Sequence, residues 1–87
     1  MSAHARPPSR NELIDQLRRL TAGKLSRRSA VAWASPWLSR LHEIRDKKVK
    51  VGVENLGMTD LPSTDREYLY DKADFEAWLN DLTGESR

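Results

Sequence analysis

Residues 46–61 read DKKVKVGVENLGMTDL, and the class of the fold turns on how this stretch is built. Val49, Val51 and Val53 alternate with Lys50 and Gly52, which is the period-two pattern of a half-buried strand. Val49, Val53 and Leu56 also step by four and three, the stripe of an amphipathic helix. Asp46 stands where such a helix would be capped, and Gly57 where it would stop. Gly52 weakens either structure, because glycine loses the most backbone freedom on ordering. The residues alone leave helix and strand both open.

The chain on either side reads as helical. In SRNELIDQLRRLTAG (9–23), Ser9 and Glu12 have capping-box spacing. Leu13, Ile14, Leu17 and Leu20 share one face, and Gly23 suits a left-handed stop. Ser26 then caps a second unit in which Ala30, Trp33, Trp37, Leu41 and Ile44 step by three and four. Because that phase runs through Pro36, the expectation is one long helix bent at the proline, since an interior proline usually kinks a helix. The rival is a break, with Ser35 capping a new helix and Pro36 in its first position. TDLPSTDRE (59–67) is a loop. In YLYDKADFEAWLNDL (68–82), Tyr68–Tyr70 reads as extended. Asp71 then caps a helix that buries Phe75, Trp78, Leu79 and Leu82.

With 87 residues the chain holds a single small core, in which about 60–65% of the unfolded surface can be buried. It has no cysteine, so packing must stabilise it without disulfides or thiolate metal sites. That composition fits a reducing cytoplasm, the expected location. No apolar run reaches the 18 or so residues of a membrane span, so no membrane partner is expected. MSAHARPPSR lacks the apolar region of a secretory signal, and residues 1–8 read as a disordered tail. Residues 9–83 form the domain and 84–87 a polar tail.

Catalytic constellations are missing from the pattern. Only His4 and His42 are available as histidine bases, and His42 with Asp46, four apart, reads as a surface pair. Two distant histidines make no zinc site. Asp71, Asp74 and Glu76 lack the register of a calcium loop, and no glycine-rich phosphate loop is present. No enzyme activity, metal or cofactor is expected.

Charge is uneven. Residues 1–50 hold twelve basic and four acidic side chains, net +8, and residues 51–87 hold three and nine, net −6. Arg18, Arg19, Lys24, Arg27 and Arg28 form one basic patch, and Arg45, Lys47, Lys48 and Lys50 a second run. Both suit a polyanion, although a solvated helix face or packing of the two halves against each other is the plainer explanation. Trp33, Trp37, Tyr68 and Tyr70 have two readings as well. They are core and edge packing, or a partner surface opened by the proline bend, since aromatics anchor interfaces.

YLYDKADFEAWLNDL resembles the closing segment of excisionase-type helix-turn-helix proteins, in which a strand leads into an acid-capped helix with a Trp-Leu pair. LPSTDRE stands where that family has its glycine-rich, arginine-bearing wing. From Leu25 to Leu82 the chain also resembles a group of small bacterial proteins without an assigned activity. The matching positions are Ser26, Arg27, Trp33, Pro36, Trp37, Asp60, Leu61, Tyr68, Tyr70 and Trp78. That resemblance implies helix over residues 47–56 and supports the reading of an all-α fold. The expectation is a mostly α, single-core bundle of about four helices, with a proline-kinked second helix and a short extended segment before the last. Its expected role is a small non-catalytic bacterial module that binds a protein, immunity-like or regulatory. The alternative is a nucleic-acid binder using the basic half. A second copy of the chain is a further candidate partner.

Overall fold

The computed structural model describes residues 6–65 and 67–84. Four α-helices follow one another: α1 (Arg10–Thr21), α2 (Arg27–Leu38), α3 (Lys47–Leu56) and α4 (Lys72–Thr83). A short 3₁₀ turn, Leu41–Glu43, lies between α2 and α3, and no strand occurs among the described residues. The fold is therefore the all-α bundle expected. Most of the 1–8 segment, His4 included, and residues 85–87 lie outside the described residues, whereas Pro8 is buried.

Residues 46–57 are helical, and their caps show why. The Asp46 carboxylate accepts hydrogen bonds from the backbone N–H groups of Lys48 and Val49 at 3.0 and 3.5 Å. These donors have no partner within the first turn of the helix. The same carboxylate forms a two-armed pair with Arg10, whose Nη2 lies 2.8 Å from Oδ2. One residue thus starts α3 and fixes its N-terminus to that of α1. Gly52 is buried within α3. A methyl group there would collide with the Cδ2 of Leu13 and stand 3.1 Å from its Cγ, so glycine lets α3 come close to α1. The valine alternation that resembled a strand is divided by the helix: Val49 and Val53 are buried, and Val51 is 44% exposed.

α1 opens with the expected capping box, Ser9 N–H donating to Glu12 Oε1 at 2.7 Å and Glu12 N–H to Ser9 Oγ at 3.1 Å. It ends at Gly23, whose φ of +78° suits glycine, and the Lys24 N–H turns back to the Arg19 carbonyl. α4 has a second capping box, from Asp71 and Asp74. The core joins Leu13, Leu17 and Leu20 of α1, Ala30, Ala34 and Trp37 of α2, Val49, Val53 and Leu56 of α3, and Phe75 and Leu82 of α4, with Ile44 from the connection. α1 packs most extensively on α4, and α2 on α3.

Two expectations are corrected. α2 does not continue as a bent helix through Ile44: it stops at Leu38, and no new helix begins at Pro36. Pro36 has no N–H to give to the preceding turn. The chain closes instead with a tighter bond from Arg40 N–H to the Trp37 carbonyl at 2.9 Å, and then enters the 3₁₀ turn. Leu41 and Ile44 still reach the core from this turn, which is why their spacing resembled continued helix. Residues 69–70 bend rather than extend as a strand, with Leu69 N–H donating to the Leu61 carbonyl. The strand of an excisionase-type closing segment is therefore not formed.

Two outcomes follow from this packing. Gly52→Ala destabilises the protein in urea denaturation, although the same change in an open helix gains about 1 kcal/mol, because overpacking a tight core costs about 1–3 kcal/mol. In a Leu13→Ala background the sign reverses, and Gly52→Ala stabilises. The second outcome concerns acid. The hydrogen bond from Arg10 holds the Asp46 carboxyl below its ordinary pKa, with the backbone donors of α3 adding to the effect. A depressed carboxyl stabilises the fold above the ordinary carboxylate range and loses that contribution as pH falls through the folded pKa. Asp46→Asn, which still caps, therefore lowers the melting temperature at pH 7 and has a smaller effect below about pH 3.

Candidate functional site

The structure sorts the basic side chains by what already holds them. Arg27, expected in the first basic patch, has a structural role. Its Nη1 donates to the Thr59 carbonyl at 2.6 Å, and its guanidinium lies 3.9 Å from the ring centre of Tyr68 and 5.1 Å from that of Phe75. It clamps the start of α2 to the connection between α3 and α4. Arg19 pairs with Asp15 one turn earlier in α1. Arg40 donates two hydrogen bonds to Glu43, holding that carboxyl below its ordinary range, and covers the Trp37 ring at 4.6 Å.

Arg18, Lys24 and Arg28 differ from these. All three are exposed, and among the described residues none of their side chains has an ion-pair partner. Arg18 stands on the last turn of α1, Lys24 in the connection, and Arg28 in the first turn of α2. The second basic run lies elsewhere. The Arg10–Asp46 pair places it near the N-terminus of α1, about 12 Å along that helix from Arg18 by the helical rise. Within that run Lys48 reaches the Asp81 carbonyl at 3.0 Å. Arg45, Lys47 and Lys50 of that run likewise have no ion-pair partner among the described residues, but Asp46 lies within it and Glu43 beside it.

A sequence signal for the first group was present but is visible only in hindsight. From Gln16 to His42 the chain has no carboxylate and carries six arginine and lysine residues. Counting charge by halves hides this stretch, because Glu12, Asp15, Glu43 and Asp46 border it and fall in the same half.

Of the two readings of the aromatic residues, their placement matches core and edge packing. Trp37 is 8% exposed and belongs to the core, and Trp33 is half-buried against it. Tyr68 lies under Arg27, and Tyr70 packs edge-on to Trp78 with ring centres 5.1 Å apart. His42 sits on the 3₁₀ turn beside Glu43 at 3.8 Å, while Asp46 is taken by Arg10. Among the described residues no group of three or more His, Asp or Glu side chains is placed to hold a metal, and no helix is long and apolar enough to cross a membrane.

With this geometry in view, the comparison with protein families is decisive. A family model described as YxzC DNA-binding protein matches residues 3–82. The chain belongs to the YxzC DNA-binding protein family. The match overturns the expected protein-binding, immunity-like or regulatory role, and it favours the nucleic-acid alternative. No curated protein and no solved structure matches the chain.

Removing the Arg27 clamp separates its structural role from that of its neighbours. Arg27→Ala lowers stability by about 1–3 kcal/mol in urea denaturation, since it strands a carbonyl and removes a cation–π contact. Arg27→Lys restores less than half of the loss, because an ammonium lacks the planar fork that bonds and stacks together.

Proposed function

We propose that this protein binds duplex DNA, without catalysis, at the end of the molecule formed by the last turn of α1, residues 22–26 and the first turn of α2. The single observation that carries the reading is the set of unpaired cations Arg18, Lys24 and Arg28 within an acid-free stretch. The DNA-binding description of the family supports it. Cations without a protein partner are the ones free to replace counterions on phosphates, and counterion release supplies most non-specific affinity. The start of α2 adds backbone N–H groups and the positive end of the helix dipole on the same side. The acidic C-terminal half, which includes Asp71, Asp74, Glu76 and Asp81 on and beside α4, gives DNA a repulsive face. The domain is expected to work in the cytoplasm.

Fluorescence anisotropy with a labelled mixed-sequence duplex of about 20 base pairs tests this. Three phosphate contacts predict that affinity falls about 40-fold between 50 and 200 mM salt. Arg18→Ala with Lys24→Ala weakens binding to every duplex and lowers the salt slope by about two. Absence of binding at 50 mM salt, or a double variant with the wild-type slope, would count against the assignment.

A further inference from the structure

We infer that the solvent face of α2 is the surface that enters the major groove of the duplex, an inference that rests on the DNA-binding reading above. The face is defined by burial. Ala30, Ala34 and Trp37 turn inward, leaving Arg28, Ala32, Ser35 and Ser39 exposed on the opposite side at helical spacing. Charge then selects this helix over the others. Of the four described α-helices, α2 alone contains no carboxylate: α1 has Glu12 and Asp15, α3 has Glu54, and α4 has Asp74, Glu76 and Asp81. An acidic side chain on a groove-facing helix would meet phosphates on both flanks, so a polyanion fits α2 and is repelled by the rest.

Shape agrees with charge. The major groove is about 12 Å wide and admits an α-helix, and a helix with short outward side chains brings its backbone closest to the base edges. On the face that Arg28 leads, the exposed positions are alanine and serine, and Leu38 is exposed at the C-terminal end of the helix, whereas the exposed faces of α1 and α4 carry long charged side chains. The groove-facing end is also the cationic one. Arg28 leads the face, with Lys24 and Arg18 just before it in the chain, where the flanking phosphates would lie. The Arg27 clamp braces α2 from its inner side, so the helix is presented as a rigid element.

The test uses the full chain and the same labelled duplex at about 50 mM salt, with two competitors of known groove preference and two matched variants. Methyl green, which occupies the major groove, should displace the protein, and netropsin, which occupies the minor groove, should not. Ala32→Glu on the outer face of α2 should weaken binding at least about tenfold. Ala77→Glu, an identical change at an exposed position of α4, should shift it less than about twofold, so that added negative charge alone is not the cause. Circular dichroism melts confirm that both variants fold. Displacement by netropsin, or equal effects of the two glutamates, would overturn the α2 assignment and leave DNA binding standing. Failure of the unmodified chain to bind any duplex would overturn both.

Discussion

The contact between Gly52 and Leu13 is the constraint on which the rest of the bundle depends. The core is small, so each helix must lie near its neighbours for their apolar stripes to meet. At residue 52 even a methyl group would collide with the Cδ2 of Leu13 and crowd its Cγ, and Leu13 is fully buried. Placing α3 against α1 here lets Val49, Val53 and Leu56 join Leu13 and Leu17, with α2 and α4 completing the core. The Arg10–Asp46 pair secures the same two helices at their N-terminal ends. The glycine that weakens α3 as an isolated helix is what allows it to pack.

The Arg27 clamp performs the corresponding task at the other end of the molecule. Among the described residues from Gly57 to Tyr70 there is no helix or strand, and of their hydrophobic side chains Tyr70 alone packs against the core cluster. A charged hydrogen bond to Thr59 and stacking on Tyr68 tie it to α2. This diverts one arginine of the basic patch into architecture and leaves Arg18, Lys24 and Arg28 to face solvent. The five cations of the patch thus divide into Arg27, built into the fold, Arg19, paired with Asp15, and three without an ion-pair partner among the described residues.

The aromatic residues show the reverse division. Tryptophan and tyrosine are favoured anchors at protein interfaces, and this chain has five of them. In so small a domain their bulk is needed inside: Trp37 fills the core, Trp33, Tyr70 and Trp78 line its edge, and Tyr68 supports Arg27. What the fold leaves outside on α2 is free of acid and, apart from Arg28 and Leu38, short. That surface suits a polyanion better than an apolar protein partner, in line with the family to which the chain belongs.

By itself the sequence determined the elements whose signals are local. The capping box at Ser9, the cap at Asp71, the stop at Gly23 and the apolar stripes of α1 and α4 each depend on residues within one or two turns. These are readable because side chain and backbone partner lie three or four positions apart. The helix at 47–56 was only half legible, since its valines satisfy two periods at once. The end of α2 was hidden, because a 3₁₀ turn delivers Leu41 and Ile44 to the core at nearly helical spacing. Which cations are free was decided in part locally, by pairs such as Arg19 with Asp15, and in part by tertiary structure. Arg10 meets Asp46 across 36 positions and Arg27 meets Thr59 across 32, and no local pattern encodes such pairings. The cations were all visible as basic letters, but packing determined that Arg27 is held and that Arg18, Lys24 and Arg28 are not.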